Sequence, residues 1–110
     1  MFNYQATVTK VVDGDTIDCD VDLGFHMTAK IRFRLARINT PEMRGSEKVE
    51  GKAAKQWLIE QLDKVDNKIR IETGKTGKYG RWIAEVYIND TVNVNEELVK
   101  NGHAEYTSYD

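Results

Sequence analysis

The sequence lacks the features that mark several classes of protein. Its 110 residues contain one proline and a single cysteine, Cys19, which excludes an internal disulfide. It has no run of about 18 apolar residues that could span a bilayer. The first five residues lack the basic start and apolar run of a secretory signal. We therefore expect a soluble protein with no membrane partner, located in the cytoplasm; a processed, secreted form is the alternative.

Charge of one sign is not in large excess, because 16 Lys and Arg face 18 Asp and Glu and the net charge is −2. That balance argues against a broad, uniformly basic surface. However, residues 28–48 hold six basic and two acidic side chains, and residues 68–81 hold five basic and one acidic, so each segment carries +4. The two segments predict one local phosphate-binding face. The alternative is that most of the lysines are solvated side chains of strands and loops.

Alternation of apolar and polar residues, with β-branched types enriched, predicts five short strands. They cover residues 4–12, 16–23, 29–36, 69–73 and 82–88. The turn pair Asp13-Gly14 indicates a hairpin between the first two strands. In the third strand the alternation places Ile31, Phe33 and Leu35 on the core face, so Arg34 projects away from the core.

Helical spacing of apolar residues predicts one amphipathic helix between residues 47 and 65, after the third strand. A short second helix is predicted from Asn95, as its cap, through Lys100, with Gly102 closing it. Five strands with a helix between the third and fourth are typical of an OB-fold, a five-stranded β-barrel of mainly β, α+β class. We predict a single domain over residues 1–110.

Asp18, Asp20 and Asp22 alternate as carboxylates do at the start of an EF-hand calcium loop. The sixth position of such a loop would be Leu23 and the twelfth Ala29, where the loop needs glycine and glutamate. A solvated strand face is the preferred interpretation. His26 and His103 have no cysteine or histidine at ligand spacing, so no zinc site is predicted.

Three segments carry the residue types that phosphodiester hydrolysis needs: a base that orients water, a cation for the phosphate oxygens, and positive charge for the transition state. They are Asp-Gly-Asp-Thr at 13–16, the stretch from Arg34 to Glu42, and Lys-Tyr-Gly-Arg at 78–81. In isolation, each residue is better explained as an ordinary side chain: Arg34 as a solvent-facing strand residue, Glu42 as a loop carboxylate and Arg81 as the partner of a nearby acid. Their occurrence together favours a catalytic role.

From about Ala6 to Gly102 these motifs, in this order, resemble the staphylococcal nuclease family, also called thermonucleases. The resemblance rests on Val-Asp-Gly-Asp-Thr at 12–16, Arg-Leu and Asn-Thr-Pro-Glu within 34–42, Tyr-Gly-Arg at 79–81, and Val-Asn-Glu-Glu-Leu-Val at 94–99. It implies a calcium-dependent endonuclease that acts on DNA and RNA, with single strands favoured, has little sequence preference and leaves 3′-phosphate ends.

The resemblance also implies roles for individual residues. Glu42 matches the general base, and Arg34 and Arg81 match the two arginines that bind the phosphate and stabilise the transition state. Lys78 and Tyr79 match contacts to a terminal phosphate. A guanidinium suits the arginine role because its planar fork binds two phosphate oxygens and stays charged.

For the Ca²⁺ ion, Asp15 matches a carboxylate ligand and Thr40 a backbone-carbonyl ligand. Asn39 stands where the best-known members carry a second aspartate, and an amide oxygen brings no charge to a metal. Gly77 replaces another frequent aspartate. Tyr106 and Tyr109 are candidates for stacking on bases, with simple packing as the alternative.

The main alternative is a binding module of the same family that kept its nucleic-acid face but lost productive metal binding through Asn39. A domain that binds only protein is a third possibility, which the two +4 segments disfavour. The sequence indicates no obligate protein partner.

Overall fold

The main strands form one twisted sheet that closes on itself. The computed structural model describes residues 2–76 and 80–107, without the side chains of residues 75 and 76. Its elements are β1 (Phe2–Asp13), β2 (Thr16–Gly24), β3 (Met27–Leu35), β4 (Ile38–Asn39), a 3-10 helix (Gly45–Glu47), α1 (Lys48–Asp63), β5 (Lys68–Thr76), β6 (Trp82–Ile88), β7 (Val92–Asn93), α2 (Val94–Lys100) and β8 (Glu105–Tyr106).

The barrel consists of β1, β2, β3, β5 and β6. Antiparallel pairing runs in the order β3, β2, β1, β5, β6, and a parallel pairing between β3 and β6 joins the two edges. That closing pairing extends from Phe33 opposite Trp82 to Leu35 opposite Ala84. The predicted OB-fold, with α1 between the third and fourth barrel strands and a short second helix near the end, is confirmed.

The core fills the barrel and the space under α1. Phe33, Ile17 and Ile71 are fully buried within the barrel strands, and Leu58 and Leu62 reach them from α1. Neither helix in the described part of the chain is long and apolar enough to cross a membrane. Leu98 of α2 is also buried in this core.

Some elements differ from the prediction. The strands β4, β7 and β8 have two residues each, too few to show a period in the sequence. Leu23, which alternation places on the same face as Ile17, Cys19 and Val21, is 42% exposed. The recorded pairing of β1 with β2 ends at Val21, and beyond it β2 and β3 continue as a hairpin that turns at Phe25 and His26.

The prediction that Asn95 caps the second helix was wrong. Asn93 is the cap, and its side chain accepts the Glu96 N–H at 3.0 Å. Asn95 lies inside α2 and is fully buried. Its Oδ1 accepts the Val86 N–H at 3.2 Å, while its Nδ2 donates to the carbonyls of Ala36 and Ala84 at 2.9 and 3.1 Å.

These contacts place Asn95 at the closure of the barrel, because Ala36 follows β3 directly and Ala84 lies in β6. We expect Asn95→Ala to destabilise the protein by about 2–4 kcal/mol, since buried backbone groups lose their partner. The measurement is the free energy of unfolding in urea. Asn101→Ala is the matched control, because the Asn101 side chain donates one exposed bond to the Glu97 carbonyl. Equal losses in the two variants would contradict the role assigned to Asn95.

Candidate active site

A cleft of about 400 Å³ opens where the β1–β2 turn, the end of β3, the segment after β4 and the residue before β6 meet. It is lined by Asp13, Asp15, Thr16, Arg34, Asn39, Thr40, Pro41, Glu42 and Arg81. Six residues that the sequence singled out therefore share one cavity. Lys78 and Tyr79, the other two, lie outside the described residues.

The β1–β2 turn brings Asp15 to the cleft. Its N–H donates to Asp13 Oδ1 at 3.1 Å, a local bond typical of turns that begin with aspartate. A Cβ on Gly14 would lie 2.9 Å from Ala54 Cβ and 3.0 Å from Thr40 Cγ2. Gly14 is thus needed for space, because the turn packs closely against α1 and against the segment that carries Thr40.

Arg34 points away from the apolar core, as the alternation predicted, but it is only 7% exposed. Its Nη1 lies 3.1 Å from Asp15 Oδ2 and donates to the Leu35 carbonyl at 3.2 Å. Its Nη2 donates to Asn39 Oδ1 at 3.0 Å. The interpretation of Arg34 as a solvent-facing strand residue is therefore wrong, because these partners fix the guanidinium inside the cleft wall.

The carboxylate of Asp15 is also buried and has several partners. Besides Arg34, Oδ2 accepts the Thr40 N–H at 3.0 Å, and Oδ1 accepts the Thr16 hydroxyl at 3.2 Å. Burial raises the pKa of Asp15, but the hydrogen bond with Asp13, the charge of Arg34 and the bonds with Thr40 outweigh it and hold the pKa below its ordinary value. Asp15 is consequently ionised at neutral pH.

The Asp13 carboxyl has the opposite shift. Burial, together with the hydrogen bond and the negative charge of Asp15, raises the pKa of Asp13 from 3.8 to about 6. Asp13 belongs to the Asp-Gly-Asp-Thr motif, but no role was predicted for it. The signal was present, since two aspartates flanking one glycine in a tight turn must lie close together.

Glu42 and Arg81 are exposed and stand at the rim of the cleft. Glu42 follows Pro41 in the irregular segment between β4 and the 3-10 helix, and Arg81 directly precedes β6. The cleft therefore combines a buried, fixed guanidinium with a carboxylate and a second guanidinium that solvent and a ligand can reach.

The donor set suits a hard divalent cation. It consists of oxygen atoms from Asp13, Asp15, Asn39 and Thr40, which calcium and magnesium prefer. The two aspartates lie close enough for the charge of Asp15 to raise the pKa of Asp13, and a cation would relieve that repulsion. Within residues 2–76 and 80–107, no group of three or more His, Cys, Asp or Glu is arranged as a metal cluster. An ion here would thus depend on amide and carbonyl oxygens as well.

Ion pairs neutralise part of the positive charge of the two +4 segments, from which a phosphate-binding face was predicted. On the sheet surface Lys30 pairs with Asp20 at 3.2 Å and Arg32 with Asp18 at 2.7 Å. Further pairs join Arg34 to Asp15 and Arg37 to Glu85. These acids lie in β2, in the β1–β2 turn and in β6. Pairing with other segments therefore neutralises much of the positive charge of residues 28–48.

Of the two tyrosines considered for base stacking, Tyr106 lies in β8 and is 58% exposed, with the Arg37 guanidinium 5.9 Å from its ring centre. It is not among the residues that line the cleft. Tyr109 lies outside the described residues. Stacking of either ring on a base stays a prediction.

A family model described as "Staphylococcal nuclease homologue" matches residues 32–110. Endonuclease YhcR of Bacillus subtilis (strain 168) is 38% identical over 112 residues, which cover 92% of this chain and 9% of that protein. Protein ParB of Escherichia coli is 30% identical over 91% of this chain and 55% of its own length. An uncharacterized endonuclease of Escherichia coli O157:H7 is 26% identical over 93% and 60%. The chain therefore spans 60% or less of these relatives.

The raised pKa of Asp13 predicts a pH-dependent stability in the absence of metal. The folded protein keeps the Asp13 carboxyl protonated up to about pH 6, whereas the unfolded chain releases this proton near pH 3.8. The contribution of Asp13 to the free energy of unfolding is therefore complete below about pH 4 and is lost as the pH rises to about 6. Carboxyls with lowered pKa values, such as Asp15, change the stability of the protein at pH values below that window.

Urea unfolding in EDTA at intervals from pH 4 to 7 measures this effect against Asp13→Asn, which has no proton to release. We expect the stability of the wild type relative to the variant to fall across the window. A difference that stays constant would contradict the raised pKa.

Proposed function

The chain belongs to the staphylococcal nuclease family, and from that membership and the cleft we propose that it hydrolyses phosphodiester bonds with the help of one divalent cation, Ca²⁺. The observation that carries the proposal is the presence of Arg34, Glu42 and Arg81 in one cleft with the oxygen donors of Asp15, Asn39 and Thr40. The set supplies cationic groups for a phosphate, a base for water and ligands for an ion.

Arg34 and Arg81 are proposed to bind the scissile phosphate. Arg34 is held by Asp15 and Asn39 before substrate arrives, so little reorganisation is needed as negative charge grows on the phosphate oxygens. Its burial strengthens that interaction, because the surroundings screen charge less than water does. Arg81, exposed at the rim, can approach the phosphate from the open side.

Glu42 is proposed as the general base. Its exposed carboxylate at the rim can accept a proton from a water molecule that attacks phosphorus opposite the leaving oxygen. Asp15, Asn39 and the Thr40 carbonyl would hold the divalent ion, which when bound supplies Lewis-acid polarisation of the phosphoryl oxygen and of water. Lys78 and Tyr79 are proposed as contacts to a terminal phosphate.

The substrates are proposed to be DNA and RNA. The cleft offers groups that recognise phosphate and water, which both polymers provide, and this supports low sequence preference. Single strands are favoured because their backbone bends more easily to bring one phosphate into a cavity of this size. The family resemblance implies that the 5′-oxygen leaves, which gives 3′-phosphate ends.

A specific observation favours a second candidate, a nucleic-acid-binding module with an impaired metal site. Asn39 brings no charge to an ion, and its Oδ1 already accepts a hydrogen bond from Arg34. If that contact persists, metal binding loses one ligand while the arginines still bind phosphate.

We expect Glu42→Gln to lower the rate of cleavage by about 10²–10⁴-fold, because the amide cannot accept the proton of the attacking water. The measurement is cleavage of a labelled single-stranded oligonucleotide with Ca²⁺, with EDTA as the condition that stops it. Glu60→Gln is the matched control, since Glu60 is an exposed α1 residue that accepts a hydrogen bond from Gln56. Wild-type rates in Glu42→Gln would remove Glu42 from the mechanism.

We expect Asn39→Asp to tighten Ca²⁺ binding on the order of tenfold, because the number of charged ligands strongly sets calcium affinity. Isothermal titration calorimetry measures the dissociation constant, and Asn101→Asp, which adds the same charge at an exposed position, is the control. An unchanged constant in Asn39→Asp would contradict the assignment of residue 39 as a ligand. Cleavage by Asn39→Asp alone, with binding but no cleavage by wild type, would favour the binding module.

A further inference from the structure

The backbone of Glu42 is held from two sides by the residues at the start of α1. Glu42 lies in an irregular segment and its side chain is exposed. An exposed side chain in such a segment takes its position from its own peptide groups. The contacts of those groups therefore decide where the carboxylate stands in the cleft.

On the carbonyl side, α1 approaches Glu42 through Gly51. A Cβ placed on Gly51 would lie 2.6 Å from the Glu42 carbonyl carbon, 2.8 Å from the Pro41 oxygen, and closer still to the Glu42 oxygen. Real Cβ atoms essentially never approach other atoms within 3.0 Å. The atoms in the way belong to the backbone and cannot rotate aside, so any side chain at position 51 displaces the Pro41–Glu42 segment or the helix.

Gly51 is required for space and not for its backbone conformation, since it is not among the glycines with a positive φ. In the interior of a helix, glycine is less favourable than alanine. A glycine that weakens the helix but admits the Glu42 peptide indicates that the close approach itself matters.

On the amide side, Glu47 Oε1 accepts the Glu42 N–H at 3.0 Å. Glu47 ends the 3-10 helix immediately before α1, so this bond and the Gly51 contact come from one continuous helical segment. The N–H of Glu42 is thus bonded to this helical segment, and the C=O of Glu42 packs closely against the same segment.

We propose that Gly51 and Glu47 are positioning residues that set the place of the Glu42 carboxylate in the cleft. The inference rests on the proposed function, in which Glu42 is the general base. Neither residue touches the reacting atoms. They act through the Glu42 peptide, while Arg34 and Arg81 are held by other contacts.

The first test compares Gly51→Ala with Ala53→Ser, which adds one heavy atom to the exposed face of the same helix. A misplacement of about 1 Å can cost about 10²-fold in rate, so we expect kcat of Gly51→Ala to fall by about 10- to 100-fold with KM little changed. In the Glu42→Gln background the same substitution should lower kcat little further, because Gly51 affects the rate through the Glu42 carboxylate. Equal losses in both backgrounds would overturn the proposal.

The second test uses Glu47, whose exposed position makes a folded variant the expected outcome. Glu47→Ala removes the acceptor for the Glu42 N–H, whereas Glu47→Gln retains an acceptor oxygen. We expect Glu47→Ala to lower kcat about threefold to tenfold, as loss of one hydrogen bond allows, and Glu47→Gln to restore it. Equal rates in Ala and Gln variants would overturn the role of Glu47.

Amide hydrogen exchange of Glu42, followed by NMR, tests positioning without reference to cleavage. We expect faster exchange in Glu47→Ala than in wild type and Glu47→Gln, and shifted Glu42 resonances in Gly51→Ala. Unchanged exchange and resonances would overturn the positioning role even in an active enzyme. If the variants show these changes but the wild type cleaves nothing with any divalent ion, the proposed function is overturned and the positioning role is not.

Discussion

The carboxylate of Asp15 joins parts of the chain that lie far apart in sequence. The carboxylate accepts the Thr40 N–H and pairs with the Arg34 guanidinium. Asp15 itself lies in the β1–β2 turn, and its backbone carbonyl accepts the Leu35 N–H at 2.8 Å. Removal of this carboxylate would break a buried ion pair, a change that is strongly unfavourable. The turn, the end of β3 and the segment after β4 keep their relative positions because they share it.

A buried ion pair is weak evidence for stability, because desolvation of both groups offsets much of the attraction. Its value here lies in orientation. Arg34 is held by Asp15 and Asn39 at the wall of a cleft where a phosphate would need positive charge, and the same aspartate remains ionised for a cation. The arrangement that costs free energy in the fold thus prepares the electrostatics on which the proposed reaction depends.

Helix α1 packs against two of the segments that line the cleft. Ala54 packs where Gly14 leaves room, and Gly51 lies against the Glu42 peptide. Close approach at both places requires the small residue, since a single added carbon would meet Ala54 and Thr40 in the first case and backbone in the second. The barrel strands and their connections supply the arginines and the aspartates, and the helix packs against the segment that carries Glu42, the proposed base.

The five barrel strands, the long helix and the motifs at the cleft could be predicted from the sequence, because alternation, helical spacing and short motifs are local properties of the chain. Tertiary structure alone decided that Arg34 is buried, that Asn93 rather than Asn95 caps α2, and that Asp18 neutralises Arg32 across two strands. Each depends on groups from distant segments that meet only when the barrel closes. The spacing of residues along the chain does not show which distant segments are in contact in the folded protein.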